Sequence, residues 1–392
     1  MLWPQISILK YIPALRFMVP RIPRLFPWLW ASALAFLLLV ACGKNDPEQE
    51  ADDDTPVVTT PYSLALPSKF PQSVTIPVDN PLTEEGVKLG RLLFYETKLS
   101  RDNSMSCGSC HQQSKAFTDG RAHSLGVDGQ EHPRGAMSLA NVVWETSLNW
   151  DGAATTLETQ ARIPIENAVE LHQSLAAGVA KLRQTDLYPP LFRQAFGSKI
   201  VTEENTLKAL AQFERTLISA NSRFDKYNNG DRTALTQQEL QGLNLFNTHP
   251  VVITLPGANC FHCHGAPLFT ARDFFNNGLD ATFTDLGRGS VTKQGFDNGK
   301  FKAPSLRNIA LTAPYMHDGR FQTLEQVLDH YSDHVQLNSP SLDPNLLDAA
   351  NSPFNNQLAL TATQKKQIIA FLNALTDSAF IQDSRFSDPF KP

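Results

Sequence analysis

Four of the five cysteines in this chain of 392 residues stand in two short motifs of one kind. The motifs are CGSCH at 107–111 and CFHCH at 260–264. In C-x-x-C-H, the two cysteines can form thioether bonds to a haem, and the histidine that follows can bind its iron. The spacing therefore predicts two covalent c-type haems. Their attachment residues would be Cys107, Cys110, Cys260 and Cys263, and their proximal ligands His111 and His264.

Two other uses of such cysteine pairs fit the sequence less well. A structural zinc site needs a closed set of four ligands, either all cysteine or two cysteines with two histidines. A redox-active cysteine pair does not require the histidine that follows both pairs here. Haem attachment accounts for every cysteine after position 42. His262, inside the second attachment loop, is expected to point outward.

The stretch APYMHDGRFQTLEQVLDHY at 313–331 offers further side chains that can bind iron. They are Met316, His317, His330 and Tyr331. The positions of Leu324, Val327, Leu328 and Tyr331 follow i, i+3, i+4 and i+7, which is one face of a helix. Tyr331 is therefore expected to point inward, and His330 off that face. Spacing alone leaves open whether Tyr331 is a ligand or a core aromatic.

Two internal correspondences indicate a duplication. LTEE at 82–85 and LTQQ at 235–238 precede the two haem motifs and are 153 positions apart, as the motifs are. Downstream, SLANVVWETSLNWDGAATTLE at 138–158 matches SLRNIALTAPYMHDGRFQTLE at 305–325, with an offset of 167. By this second offset, Met316 corresponds to Asn149 and Tyr331 to Pro164. Proline cannot bind iron through its side chain, so the two haems are expected to differ here.

The helical patterns suggest how the fold is organised. TLKALAQFERTL at 206–217 and TQKKQIIAFLNAL at 363–375 would each close one half, and no strand pattern of any length competes. We therefore expect a mainly α protein with two tandem cytochrome c-like domains, each with one covalently bound c-type haem. The expected domains are residues 76–225 and 226–392.

The N-terminal region is typical of an exported lipoprotein. Basic residues precede an apolar run at 25–41 that ends in LVAC, which predicts a signal peptide over 1–41 and lipidation of Cys42. Residues 42–75 would be a flexible acidic tether, and Lys44 favours the outer membrane on its periplasmic side. Removal of the four basic residues at 1–41 takes the formal charge from −5 to −9, which disfavours nucleic acid as a partner.

Residues 77–377 resemble the bacterial dihaem cytochrome c peroxidase family, which includes the MauG-type enzymes. The resemblance rests on the paired C-x-x-C-H motifs, WDGAATTLETQARIPIENAVE at 150–170 and LRNIALTAPYMHDG at 306–319. It implies a first domain with a high-spin haem that reacts with peroxide. It also implies a second domain with a six-coordinate electron-transfer haem.

The resemblance carries over to particular residues. Gln160, Pro164 and Glu170 match the distal pocket of the peroxide-reacting haem, and Trp150 matches the tryptophan between the haems. Glu170 suits a general acid–base that moves a proton between the peroxide oxygens. The distal ligand of the second haem falls on Tyr331, as in MauG, where the peroxidases have methionine. Met316 is the alternative ligand.

Three departures from the family pattern qualify the resemblance. Val127 stands where many peroxidases carry a histidine that caps the first haem, so this haem is expected to be open, although His132 is five residues away. Thr312 and Pro314 match carbonyl donors to calcium, but Gly135 replaces an asparagine of that site. GAN at 257–259 lacks the tryptophan that MauG uses toward its protein substrate.

Three functions follow as hypotheses. The first is an exported peroxidase that reduces hydrogen peroxide to water with electrons from a small cytochrome c or cupredoxin. The second is a MauG-like enzyme that uses peroxide to oxidise residues of a partner protein, which Tyr331 and Val127 favour. The third is a dihaem electron carrier without catalysis. In all three, the only membrane contact would be a lipid anchor.

Overall fold

The chain is built mainly from helices. The computed structural model of the protein describes residues 57–351 and 357–391. In chain order, its α-helices are α1 (Glu84–Tyr95), α2 (Cys107–Cys110), α3 (Leu157–Glu166), α4 (Leu175–Arg183), α5 (Tyr188–Phe196), α6 (Glu203–Arg215), α7 (Arg223–Asn228), α8 (Gln237–Asn247), α9 (Arg288–Thr292), α10 (Leu324–Asp329), α11 (Pro344–Asp348) and α12 (Ala362–Asn373). Strands β1 (Phe274–Phe275) and β2 (Phe301–Lys302) pair antiparallel, with Phe274 opposite Lys302. The expected mainly α fold is confirmed for these residues.

Threonine caps begin the helix before each haem motif. The Thr83 hydroxyl accepts a hydrogen bond from the Gly86 amide at 3.0 Å, at the start of α1. At the start of α8, the Thr236 hydroxyl accepts from the Glu239 amide at 3.3 Å, and the Glu239 carboxylate accepts from the Thr236 amide at 2.8 Å. Such bonds satisfy amides that have no partner within the helix. The corresponding segments LTEE and LTQQ therefore contain the capped starts of equivalent helices.

A glycine lets the closing helix lie directly against the first helix of each half. A Cβ atom on Gly90 of α1 would lie 1.9 Å from the Ala209 carbonyl oxygen of α6. A Cβ atom on Gly242 of α8 would lie 1.9 Å from the Gln367 carbonyl oxygen of α12. Aromatic rings pack beside each crossing, with centroids 5.3 Å apart for Phe94 and Phe213 and 5.2 Å apart for Phe246 and Phe371. The two halves thus repeat one helix–helix contact.

The segment after each haem motif also has one backbone path in both halves. Left-handed φ angles recur with the offset of 167, at Asn141 (66°) and Asn308 (61°), and at Asn149 (66°) and Met316 (72°). The following turns are closed by the bridges Leu148–Ala154 and Tyr315–Phe321, again 167 apart. Capping boxes at Thr156 and Thr323 then begin α3 and α10. The correspondence seen in the sequence is therefore a repeated structural unit.

Two hydrophobic cores lie within one compact unit of the chain. The first core packs α1, α4, α5 and α6 together, and the second packs α8, α10 and α12. The C-terminal tail returns to the first core, where Phe380 and Phe386 are buried. The Tyr95 hydroxyl donates to the Phe386 carbonyl at 2.7 Å, and Arg91 Nε donates to the Ser387 carbonyl at 2.7 Å. The boundary expected at 225/226 stays a prediction, but this return of the tail was not foreseen.

Residues 61–75 are not a free tether, and the expectation of flexibility up to residue 75 is wrong for them. Phe70 is buried, and its ring centroid lies 5.3 Å from that of Trp144. The Trp144 indole donates to the Pro71 carbonyl at 2.9 Å, and the Arg307 guanidinium lies 4.4 Å from the Phe70 ring centroid. Regularly placed apolar side chains make this packing possible, namely Leu64, Leu66, Phe70, Val74 and Ile76.

The expected signal peptide at 1–41 and the lipidated Cys42 lie outside the described residues. Within residues 57–351 and 357–391, no helix is long and apolar enough to cross a membrane.

A methyl group at the second helix crossing is expected to destabilise the protein. In Gly242→Ala, the new Cβ must push α8 away from the α12 backbone, so we expect a loss of about 2–3 kcal/mol in the free energy of unfolding. Denaturant titration of the haem-loaded protein measures this loss. Gly295→Ala is the control, because no atom lies within 4 Å of its Cβ position. Equal stability of the two variants would contradict a close crossing.

Candidate haem sites

The first attachment motif forms a short helix at the wall of a cavity. Ser106 caps α2, and the His111 amide closes it by donating to the Cys107 carbonyl at 2.9 Å. Cys107 and Cys110 are free thiols, and both line this first cavity together with His111. The motif therefore directs two thiols and one imidazole into the same space.

A backbone hydrogen bond orients the His111 ring. Its Nδ1 donates to the Phe117 carbonyl at 2.8 Å, which leaves Nε2 as the nitrogen with a free lone pair. Burial lowers the pKa of His111, so the neutral ring predominates at neutral pH. A neutral imidazole with one nitrogen hydrogen-bonded is the form that binds a metal ion.

Helix α3 and the loop after it supply the other side of the first cavity. Gln160, Pro164 and Glu170 all line it, and the distal roles that the resemblance implies for them stay predictions. Gln160 Nε2 donates to Asn149 Oδ1 at 3.3 Å, so the left-handed turn at Asn149 holds the amide. Pro164 lies inside α3, where its ring contributes an apolar surface without a donor.

Glu170 has two polar neighbours within the first cavity. Asn167 Nδ2 donates to Glu170 Oε1 at 2.7 Å. His132 Nε2 lies 3.7 Å from the same oxygen, beyond hydrogen-bond length. Glu170 thus keeps Oε2 for other partners, and its side chain is 29% exposed.

The second attachment motif repeats the first with one change. Cys260–His262 is a 3₁₀ turn, and the His264 amide donates to the Cys260 carbonyl at 2.9 Å. Cys260, Cys263 and His264 line a second cavity. Nδ1 of His264 lies near two carbonyl oxygens, those of Pro304 at 3.1 Å and Phe269 at 3.3 Å. Burial lowers the pKa of His264 to about 4, so this ring is also neutral.

Tyr331 and Met316 both line the second cavity. Asn277 Nδ2 donates to the Tyr331 hydroxyl at 3.2 Å and lies 3.5 Å from Met316 Sδ. Leu324, Val327 and Leu328 line the same cavity, so the inward face expected from the helical spacing is confirmed. Burial raises the pKa of the Tyr331 phenol. Tyr331 and Met316 therefore both remain candidate ligands for the iron of the second haem.

A π-helical turn carries Tyr331. Helix α10 ends at Asp329, and His330–His334 continues it with the wider π geometry. The corresponding segment of the first half is the regular helix α3 around Pro164. π turns are rare and often occur at functional sites. His330 points off the cavity face, and its Nε2 hydrogen-bonds the Asn277 carbonyl at 3.0 Å.

Trp150 lines both cavities, as do Lys302 and Pro304. The Trp150 indole donates to the Gly135 carbonyl at 2.9 Å, and its own carbonyl accepts from the Lys302 amide at 2.8 Å. An aromatic ring therefore lies between the two cavities, with its edge held by hydrogen bonds. The family resemblance implied a tryptophan between the haems, and that role of Trp150 stays a prediction.

The donor sets of both cavities suit c-type haem. Each has two free thiols and a neutral, oriented imidazole, and most of the other lining side chains are apolar. Cys107, Cys110 and His111 would hold the first haem, and Cys260, Cys263 and His264 the second. The number of haems and their covalent attachment stay predictions from the motifs.

Comparison with known proteins identifies the family. Residues 84–233 match the family described as di-haem cytochrome c peroxidase. The chain is 36% identical over 330 residues to the methylamine utilization protein MauG of Methylophilus methylotrophus, which spans 82% of this chain and 93% of that protein. The chain belongs to the dihaem cytochrome c peroxidase and MauG family. It is an oxidoreductase that acts on hydrogen peroxide, and the family implies two haems.

Both named branches of the family occur among its relatives. The chain is 35% identical over 330 residues to cytochrome c551 peroxidase of Nitrosomonas europaea, which spans 80% of this chain and 89% of that protein. It also resembles the crystal structure of a MauG-like protein associated with microbial copper homeostasis, with 37% identity and a TM-score of 0.74. That likeness covers 84% of this chain and all of the other.

The loop that carries a capping histidine in many members of the family is folded back here. Val127 stands at that position, and its amide donates to the Glu170 carbonyl at 2.8 Å. Gly126 permits this approach, because a Cβ atom there would lie 2.2 Å from the Val169 carbonyl oxygen. Val127 is absent from the described lining of the first cavity, whereas His132 of the same loop is part of it.

The expectation that His262 points outward is wrong. His262 lines the second cavity, and its Nε2 is buried without a hydrogen-bond partner among the described residues. Its ring centroid lies 4.3 Å from that of Phe261, with the two ring planes tilted by 41°. The 3₁₀ turn of the second motif directs this side chain inward, whereas the corresponding residue of the first motif is Ser109.

The partial calcium site stays a prediction. Thr312 and Pro314 flank Ala313, and the Ala313–Pro314 peptide bond is cis. A Cβ atom on Gly135 would lie 3.1 and 3.2 Å from the carbonyl oxygens of Arg121 and Ala122. No group of three or more His, Cys, Asp or Glu side chains in the described parts of the chain could hold a metal ion. Any calcium would therefore depend on carbonyl oxygens.

Glu214 of α6 is a buried acid in the first cavity that sequence reasoning missed. It lines the cavity, and its Oε2 is buried without a described hydrogen-bond partner. Burial raises its pKa to about 8, although Arg215 acts in the opposite direction. Its place in the helical pattern TLKALAQFERTL is the only signal in the sequence, because an acid on an apolar helix face is unusual.

Glu214 is expected to make the stability of the protein depend on pH. Between about 4.5, the ordinary value, and about 8, the folded protein keeps a proton that the unfolded chain releases. The free energy of unfolding should therefore fall as pH rises through this window. Glu214→Gln removes this contribution, so we expect a flatter profile and higher stability at pH 8, on the order of a few kcal/mol.

Thermal unfolding of the haem-loaded protein across this pH range measures the effect. Glu204→Gln is the matched control, since this glutamate lies on the same helix with an exposed side chain paired to Lys208. A profile for Glu214→Gln as steep as that of the unaltered protein would contradict the assignment.

Proposed function

We propose that this protein uses hydrogen peroxide to oxidise residues of an exported partner protein, in the manner of MauG. The observation that carries the proposal is Tyr331, whose hydroxyl lines the second cavity beside Asn277. Its counterpart in the first cavity is Pro164, which offers no ligand. The two cavities thus suit an open iron for peroxide and a closed iron for storing oxidising equivalents.

The haems, when bound, supply the redox-active iron for the two-electron reduction of peroxide. The overall step is H₂O₂ with two electrons and two protons giving two molecules of water, and the partner supplies the electrons. Glu170 Oε2 can take a proton from one peroxide oxygen and return it to the other. Gln160, held by Asn149, can orient the peroxide through its amide.

Trp150 would couple the two sites. It lines both cavities, and its hydrogen bonds to Gly135 and Lys302 restrict the ring. A phenolate ligand from Tyr331 would stabilise ferric and higher oxidation states, whereas a thioether from Met316 would favour reduced iron. The choice of ligand therefore decides whether the second site stores an oxidant or passes on electrons.

The partner would meet this protein outside the cytoplasm. The apolar run at 25–41 and Cys42 support export and a lipid anchor, with the outer membrane favoured by Lys44. The net charge supports a protein partner over nucleic acid.

The second candidate is a peroxidase that takes electrons from a small cytochrome c or cupredoxin. GAN at 257–259 supports it, because the tryptophan that MauG uses toward its protein substrate is missing there. Relatives named cytochrome c peroxidase are of similar identity to those named MauG.

Peroxide treatment with candidate partners separates the two functions. We expect a mass change on a partner side chain with the unaltered protein, and none with Glu170→Gln. Glu166→Gln should behave as the unaltered protein, because this glutamate ends α3 and is not part of the described lining of the first cavity. Rapid oxidation of a reduced cytochrome or cupredoxin, with no change in the mass of any partner, would favour the second candidate.

Electron paramagnetic resonance of the resting ferric protein tests the ligand. If Tyr331 binds the second iron, Tyr331→Phe changes the signal of that haem, and Met316→Leu leaves it unchanged. The reverse pattern would assign Met316 and remove the observation on which the MauG-like proposal depends. A third pattern, with both irons six-coordinate in the unaltered protein, would favour an electron carrier.

A further inference from the structure

The first cavity needs a route for protons. The proposed function consumes two protons for each peroxide reduced, and the inference drawn here rests on that function. Glu170 can move a proton between the two peroxide oxygens, but this move alone delivers none from solvent. A second titratable group must therefore connect Glu170 to water.

His132 lies where such a group is needed. It lines the first cavity and also an open cleft on the protein surface. Its Nε2 lies 3.7 Å from Glu170 Oε1, and its side chain is 27% exposed. The same imidazole therefore faces the distal acid on one side and water on the other.

The backbone around His132 fixes the position of the ring. Its amide donates to the Ser124 carbonyl at 2.8 Å, across the loop that Leu125 and Glu131 bridge. Its Nδ1 lies 2.8 Å from the Arg134 carbonyl oxygen, to which it can donate, and 3.1 Å from the Arg134 amide nitrogen, from which it can accept. In the tautomer whose Nδ1 donates, Nε2 is the atom that can accept a proton.

We propose that His132 is the proton relay between the surface cleft and Glu170. Nε2 takes a proton from a hydronium ion in the water of the cleft, which leaves a water molecule and gives the imidazolium ion. The same N–H bond then breaks as the proton passes to Glu170, which returns the ring to its neutral form. No electron moves in this step, and each cycle delivers one proton.

The gap between the two groups is short enough for this transfer. At 3.7 Å, it exceeds a hydrogen bond by less than 1 Å, so a small rotation of either side chain closes it. One bridging water would serve equally. Each side chain has one anchor, Asn167 Nδ2 at 2.7 Å from Glu170 Oε1 and the Arg134 carbonyl at 2.8 Å from His132 Nδ1, and the two are similarly exposed.

Other charged groups near the cleft are poor relays. The ionisable side chains that line it with His132 are His123, Arg134, Asp280, Asp285, His317, Asp318 and Arg320. The arginines do not release protons at neutral pH, and both are paired with these aspartates. His123 and His317 do not line the first cavity. Among the described residues, His132 and Arg134 are the ionisable side chains that line both spaces, and Arg134 does not release its proton.

His132→Gln tests the relay in the haem-loaded full chain. Glutamine keeps a polar side chain but cannot carry a proton, so we expect the rate of peroxide reduction to fall at least tenfold. The pH dependence of the rate should change as well, because the relay between the cleft and Glu170 is lost. His172→Gln is the matched control, because His172 lies two residues from Glu170 and pairs with Asp128 outside the cavity. An unchanged rate and profile for His132→Gln would overturn the proposal.

A double-variant cycle asks whether His132 acts through Glu170. If it does, adding His132→Gln to Glu170→Gln lowers the rate little further. If the double variant instead shows the product of the two single losses in rate, the two residues act independently and the relay is overturned. Should His132→Gln fail to fold, as judged by its haem spectrum and melting temperature, His132→Asn takes its place.

Infrared spectroscopy of protein with isotope-labelled histidine gives a readout without turnover. The difference between the unaltered protein and Glu170→Gln should contain a histidine ring band, because the ring loses its acidic neighbour. The same difference in the His132→Gln background should lack that band, and its persistence there would overturn the contact. A normal band in a protein without peroxide turnover would reject the proposed function and leave the contact standing.

Discussion

The close approach of two helix backbones is the constraint on which each half of this protein depends. At Gly90 and at Gly242, a hydrogen atom is the largest side chain that the facing carbonyl oxygen permits. One helical turn after each close approach, two phenylalanine rings pack against each other, Phe94 with Phe213 and Phe246 with Phe371. Aromatic packing therefore stabilises each crossing. The haem motif follows the first helix of each pair, and the helix pair therefore determines where the thiols and the imidazole lie.

Within this common frame, the two cavities differ at a few positions that decide their chemistry. Pro164 and Tyr331 occupy equivalent places 167 residues apart, yet one lies in a regular helix and the other in a π turn. The wider turn carries a phenol that lines the second cavity. At the equivalent position of the first cavity, the proline side chain presents only carbon atoms. Gln160, Glu170 and Glu214 add polar groups to the first cavity. The repeated fold thus provides a first cavity with several polar groups and a second cavity whose lining is more apolar.

The repeats explain how much of this could be predicted from the sequence. Thr83, Thr236 and the helix from Leu324 to Tyr331 follow local rules of capping and periodicity, which a sequence displays directly. The offset of 167 placed Tyr331 opposite Pro164 because the intervening turns have equal length. The packing of Phe70 and Phe380, by contrast, joins segments far apart in the chain. No local pattern predicts such contacts, and the expected tether over 42–75 therefore extended too far, into residues that pack against the folded part.

The site shows the same division between local and distant information. The attachment residues follow from a spacing of five positions, whereas the neighbours of Glu170 come from a separate loop. In the sequence, His132 is only a histidine five residues from the expected capping position. Its approach to Glu170 depends on how the loop at 124–132 folds back. The orientation of His262 was predicted wrongly, because C-x-x-C-H alone does not show which way a side chain in a 3₁₀ turn points.

The wall of the first cavity also contains two residues of the second half. These are Lys302 from β2 and Pro304, which follows that strand. Phe380 and Phe386 from the end of the chain complete the first core. The first half therefore does not contain all of its own cavity wall or all of its own core. A fragment that ends at residue 225 would lack these residues, so the first haem site would be open on the side where the second half now closes it.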